Sequence, residues 1–232
     1  MKKSFLYEIK ILSALLVTFL VITGCSSSSG GAVDSNVFSD NFDSYALENP
    51  WTPLGGWTGT GTWAIVAGLS GNGVQKVDTG SANLTSSYTG TDYTVSVRVR
   101  PTAIANSWYF GICARDDGSN NRYCAFLNDN TSTPTTAISI FKFWNNGSTG
   151  GDRISETYIA SDLDTSTYYT LTLKVSGLLI TATVTDGINS HTVTWTDDGG
   201  SGSIIPSGTA GLMIYSGLAY PVIYDNFIVT EP

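Results

Sequence analysis

Few residues in this chain have the types and spacing that catalysis needs. Beyond residue 24 there are three glutamates, Glu48, Glu156 and Glu231, and none stands in a strand run with alternating carboxylate partners. A paired-carboxylate mechanism needs both groups on one face of one element. His191 is the single histidine, and in His191-Thr192-Val193-Thr194-Trp195 alternation places it on the face of Val193 and Trp195. Packing near a strand end explains such a histidine without any proton transfer. Asp197-Asp198, just before Gly199-Gly200, reads as a solvated turn. No Gly-x-Ser-x-Gly elbow, His-Glu-x-x-His pair or phosphate-binding loop occurs. The residues lean toward a binding role, with a lyase or hydrolase of unfamiliar arrangement, or a structural envelope protein, as the alternatives.

The N-terminus carries a different chemistry. Lys2 and Lys3 precede a run from Ile9 to Ile22 that is apolar except for Lys10, Ser13 and Thr18. A spanning helix needs about 20 apolar residues, so this shorter run reads as the hydrophobic region of a signal peptide. It ends in Ile22-Thr23-Gly24-Cys25, which resembles the lipobox of bacterial lipoproteins. The resemblance implies cleavage after residue 24 and acylation of Cys25, whose acyl chains supply the membrane anchor. Ser26 in place of aspartate after that cysteine implies the outer membrane in a Gram-negative envelope. Residues 25–36 are a Ser/Gly tether, and residues 37–232 are the folded domain.

That domain is built for strands. Only 13% of the chain is charged, 12% is aromatic, and glycine occurs 25 times. Thr, Val, Ile, Tyr and Trp punctuated by Asp117-Gly118, Asn146-Gly147 and Asp186-Gly187 predict many short strands joined by tight turns, hence a two-layer sandwich or barrel. The formal net charge is −8, and loss of Lys2, Lys3 and Lys10 against Glu8 takes the mature chain to about −10. Such an acidic balance argues against nucleic acid as a partner.

Particular segments carry a family likeness: Phe38-Ser39-Asp40-Asn41-Phe42-Asp43, Tyr93 to Arg100, Gly111 to Arg115 followed by Asn121-Arg122-Tyr123, Tyr169 to Val175, and Tyr224-Asp225-Asn226-Phe227. They resemble the concanavalin A-like (LamG-like) jelly rolls, and more narrowly modules of bacterial polysaccharide-degrading proteins, including the 3-keto-disaccharide hydrolase type. The resemblance implies an all-β, two-sheet antiparallel jelly-roll sandwich and a glycan ligand. It also implies a structural Ca²⁺ between the first and last strands, with Asp225 and Asp40 or Asp43 as hard oxygen ligands; surface aspartates at strand edges are the alternative. The Glu-x-Asp strand of laminarinase-type hydrolases and the Gln-x-His strand of jelly-roll alginate lyases are both missing.

With Cys25 assigned to the lipid, Cys113 and Cys124 remain as a pair in an oxidising compartment. They flank a hairpin loop, and if Arg115 faces Arg122 then Cys113 faces Cys124, so the two can bridge. Two free thiols are the alternative. The same alternation sends Val95, Val97, Val99, Phe110, Ile112, Ala125, Leu127, Phe141 and Phe143 to the core. If these strands share one sheet, its other face collects Arg98, Arg100, Tyr109, Arg115, Arg122, Phe126, Asn128, Lys142 and Trp144. A basic, aromatic face of that kind would take an acidic polysaccharide; a solvated face with its arginines neutralised is the alternative.

Overall fold

The computed structural model describes residues 35–103, 108–129, 136–144, 151–159, 162–215 and 222–232. The leader, Cys25 and the tether as far as Asp34 lie outside the described residues. All the regular elements described are strands: β1 (Ser35–Asp40), β2 (Glu48–Trp51), β3 (Trp57–Gly59), β4 (Trp63–Ala67), β5 (Asn72–Lys76), β6 (Ala82–Gly90), β7 (Tyr93–Pro101), β8 (Trp108–Asp116), β9 (Arg122–Asp129), β10 (Thr136–Phe143), β11 (Gly151–Ile159), β12 (Tyr169–Ser176), β13 (Leu179–Thr185), β14 (Ser190–Thr196), β15 (Gly208–Tyr215) and β16 (Val222–Glu231). They form a nine-stranded sheet in the order β14-β13-β12-β7-β16-β5-β4-β2, with β1 also paired to β16, and a seven-stranded sheet in the order β11-β10-β9-β8-β15-β6-β3. Every pairing is antiparallel.

Alternation builds the core. In β7, Tyr93, Val95, Val97 and Val99 are buried while the residues between them are partly exposed, and Leu171, Leu173 and Val175 of β12 repeat the pattern in register with them. The inner face of the seven-stranded sheet answers with Leu84, Phe110, Ile112, Ala125, Leu127, Ile138, Ile140 and Leu212. Each Val, Leu, Ile or Phe among them contributes about 1.5–3 kcal/mol by leaving water. This holds the two sheets face to face.

Three expectations are corrected here. First, β7 belongs to one sheet and β8, β9 and β10 to the other, so Arg98 and Arg100 do not share a face with Tyr109, Arg122, Phe126 and Asn128. The likeness in local pattern concealed this, because a strand shows which residues alternate but not which sheet receives it. Second, Phe141 and Phe143 point outward and Ile138, Ile140 and Lys142 point inward, because Ile140 pairs with Ala125 and Phe141 with Cys124. Third, β2, β3 and β11 are strands that the sequence did not reveal. In β11, Gly-Asp-Arg-Ile-Ser-Glu-Thr-Tyr-Ile lacks an apolar alternation because the strand is an edge, half exposed along its length.

Candidate functional site

The outer face of the seven-stranded sheet is organised around the β8–β9 hairpin. Cys113 and Cys124 pair directly and form a disulfide, with Cα atoms 4.1 Å apart. Met213 on β15 sits against it, its sulfur 3.5 Å from the Cys113 Sγ. Around this group Tyr109, Phe126, Phe141, Phe143 and Tyr215 pack edge to face and tilted, with ring centroids about 5 to 6.5 Å apart. Such contacts add to the area term. The cluster is a second small core on the outside of the sheet. Phe126 is 0% exposed and Asn128 is 7% exposed, so Phe126 packs within this layer and presents no open ring. Tyr109 and Tyr215 are only partly buried.

At the hairpin end the surface turns polar. Ala114 and Arg115 together oppose the single residue Ala210, which makes a bulge, and Arg115 adopts φ 52°. A bulge re-aims the side chain. Arg115 therefore leaves the outer face: it donates to the carbonyls of Thr91 (2.7 Å), Gly177 (2.9 Å) and Ile205 (3.1 Å) and pairs with Asp92 at 3.0 Å. At 2% exposure it is a staple joining three loops, which corrects its placement on an open face. Arg122 does lie on the outer face, paired with Asp116 at 3.0 Å and with Asn120 Oδ1 at 2.6 Å. Burial pulls its pKa down while Asp116 and Asp117 oppose the shift. Burial raises the Asp117 carboxyl, but donors from Asn121 and Ser119 outweigh that and leave it below its ordinary range.

Two depressions flank this hairpin tip. One is an open trough of about 620 Å³ lined by Thr58, Asn83, Thr85, Asp116, Asn120 and Arg122 among other polar residues. The other, about 300 Å³, lies between Asp117, Asn121, Trp144 and the segment Ile204-Ile205-Pro206. Trp144 donates to Asp152 Oδ2 at 3.1 Å, and its ring covers Gly202, where any Cβ would lie 2.5 Å from the ring. Thus Arg122 and Trp144 are brought to opposite sides of one tip. The trough residues Asn83 and Thr85 flank buried Leu84 in β6, a period-two signal too short in the sequence to single out.

The proposed calcium ligands divide. Asp40 accepts from the backbone of Phe42 at 2.7 Å, Tyr45 Oη at 2.7 Å and Trp57 Nε1 at 2.8 Å; these bonds tie it into an aromatic node. Asp43 and Asp225 meet at the β4–β5 turn, accepting from Asn72 N at 2.7 Å and Leu69 N at 2.8 Å. Gly68 and Gly71 are required there, since a Cβ at Gly71 would fall 1.7 Å from Asp43 Oδ1 and one at Gly68 2.7 Å from Asp225 Oδ2. Burial raises the Asp225 pKa, and Asp43 adds to it against the bonds from Leu69 and Asn226 and the nearby charge of Arg98. Among the described residues no three His, Cys, Asp or Glu side chains gather as a metal site. His191 pairs with Val184 and lines a cavity of about 290 Å³ at the sandwich edge with Ile159, Leu163 and Tyr169.

No family model and no curated protein sequence matches this chain. Solved structures do. The carbohydrate-binding module CBM66 from Bacillus subtilis superposes with TM-score 0.56 at 19% identity, over 76% of this chain and 96% of that one. The fold is a lectin-like jelly roll. The legume lectin-like domain from Entamoeba histolytica gives TM-score 0.54 at 13% identity, over 76% of this chain and 90% of that one. The exoplasmic/lumenal domain of VIP36 in its Ca²⁺/Man2-bound form gives 0.53 at 13%, over 80% and 87%. The two depressions beside the β8–β9 tip lie at one end of the seven-stranded sheet.

Proposed function

We propose that this jelly roll is a non-catalytic glycan-binding module, held at the cell envelope by a lipid on Cys25, and that the trough beside the β8–β9 hairpin is its sugar site. The trough lining carries the proposal. Thr58, Asn83, Thr85 and Asn120 offer hydroxyl and amide groups, and the buried Asp116–Arg122 pair fixes two more polar side chains without a large net charge. Sugar hydroxyls are both donors and acceptors, and groups already oriented by other bonds lose little freedom on binding them. A neutral glycan suits that lining better than an acidic one. The carbohydrate-binding module and the lectin-like domains named above support the reading, because they share the fold.

Thr85 is outward-facing and partly exposed, so Thr85→Trp fills the trough without entering the core. A neutral-glycan array followed by calorimetry should show binding by the parent protein and loss of about tenfold or more in this variant. Equal binding by both would move the site elsewhere. The same titration with calcium and with a chelator tests the metal; Asp43 and Asp225 are the two expected ligands that the fold brings to one turn.

A further inference from the structure

Of the lysines and arginines beyond the leader, Lys76, Arg115, Arg122, Lys142 and Arg153 each have a carboxylate within ion-pair distance. The other three are Arg98, Arg100 and Lys174, and among the described residues no carboxylate lies within that distance of them. All three stand on the outer face of the nine-stranded sheet, on the adjacent strands β7 and β12, between inward-facing Val97, Val99, Leu173 and Val175. On an acidic chain, three cations outside ion-pair distance of any described carboxylate on one face, with only Arg98 feeling the charge of a buried neighbour, Asp225, are a local field of opposite sign.

The donors there are also unfilled. Arg100 and Arg98 lie 5.1 Å and 5.9 Å from the ring centre of Tyr168. Arg100 gives one nitrogen to the Thr165 carbonyl at 3.2 Å, but the Nε atoms of both arginines and the Tyr168 hydroxyl are buried with no protein acceptor. A planar fork with free donors beside a phenol is what carboxylate and sulfate groups bind. Thr170 pairs with Arg98, Thr172 with Ser96 and Lys174 with Thr94. Lys174 therefore lies about 13 Å along the sheet from Arg98, across a hydroxyl row of Ser96 and Thr172. Thr181 and Thr183 of β13 continue these rows outward. Asp225 is the one acidic neighbour of Arg98 in register, and it is 2% exposed and turned into the bond from Leu69.

We propose that this face is a second binding surface, distinct from the trough, for an anionic polysaccharide: a sulfate or carboxylate is held by Arg98, Arg100 and Tyr168, and the next charged group of the same strand reaches Lys174. Each contact is weak and screened, so affinity comes from repetition along the polymer and falls with salt.

The test is retention of the intact protein, in detergent, on immobilised dextran sulfate and on immobilised polygalacturonate at low ionic strength. Retention on at least one column, lost on raising the salt, is expected, and the column that retains it names the anion. Arg98→Gln/Arg100→Gln should weaken retention about tenfold with the sandwich still folded and at most a small fall in Tm, because both side chains are outside the core. Thr85→Trp should be retained like the parent, which separates this surface from the trough. Lack of retention on both columns, full retention of the double variant, or arginine-dependent binding to phosphatidylglycerol vesicles without binding to either glycan would overturn the proposal.

Discussion

Lys142 shows how one side chain sets local architecture. It points inward from β10 between outward-facing Phe141 and Phe143, 0% exposed, with Nζ 2.7 Å from Asp197 Oδ2, also 0% exposed. The Tyr123 hydroxyl donates to the same carboxylate and accepts from Ile205 N at 3.0 Å, while Asp197 Oδ1 accepts from Gly199 N at 3.0 Å. Burial pushes the Tyr123 pKa up, and the bond to Asp197 pushes it further, so it stays a donor. The Trp195 ring lies 5.6 Å from Nζ, a cation–π contact in a dry setting. Asp197 is thus no solvated turn residue: the network fastens the segment 197–206, which forms one wall beside Trp144. Lys142→Ala leaves a buried carboxylate without its cation and should cost about 3–5 kcal/mol in urea unfolding. Lys142→Met with Asp197→Leu should cost less than the single change, because no uncompensated charge remains. A double variant as unstable as Lys142→Ala would mean that the pair itself supplies the stability.

At the scale of elements, the β8–β9 hairpin unites the disulfide, the Arg115 bulge and the Asp117 turn. Asp117 Oδ1 accepts from Ser119 N at 2.7 Å and Asn121 N at 3.2 Å, which shapes the tip between the two depressions. The bridge spans a sequence separation of 11, and closing so short a loop removes only modest freedom from the unfolded chain. Cys113→Ala/Cys124→Ala should lower stability by about 2–3 kcal/mol in chemical unfolding and leave the sandwich formed. Neither sheet depends on it, since the strands on both sides stay paired along their length. Global unfolding of that variant at room temperature would give the bridge a larger role. The bulge also explains why simple alternation misplaced Arg115 while it placed Phe110, Ile112 and Cys113: one extra residue changes the phase of every side chain beyond it.

For the whole molecule, the proposed anchor makes a separate prediction. Cys25→Ala should abolish palmitate labelling and release the protein from the membrane fraction, whereas unchanged labelling would refute acylation at Cys25. Strand content, the two-layer class, the Cys113–Cys124 bridge and the inward rows of β7, β8 and β9 were legible in the sequence, because residues alternate with period two and turn residues mark the ends. Edge strand β11 was not, since half exposure removes the apolar signal. Nor was the fate of the cations. Arg98, Arg100, Arg115, Arg122 and Lys142 look alike as basic residues in strands. Only the tertiary structure sent two to the outside of one sheet, one through a bulge into a loop junction, one to a paired site on the other sheet and one into the core. The physical reason is that alternation is a local property of one strand. Which sheet receives that strand, and which distant carboxylate meets its cation, depends on partners as far along the chain as Asp197 is from Lys142, and these come together only when the sandwich closes.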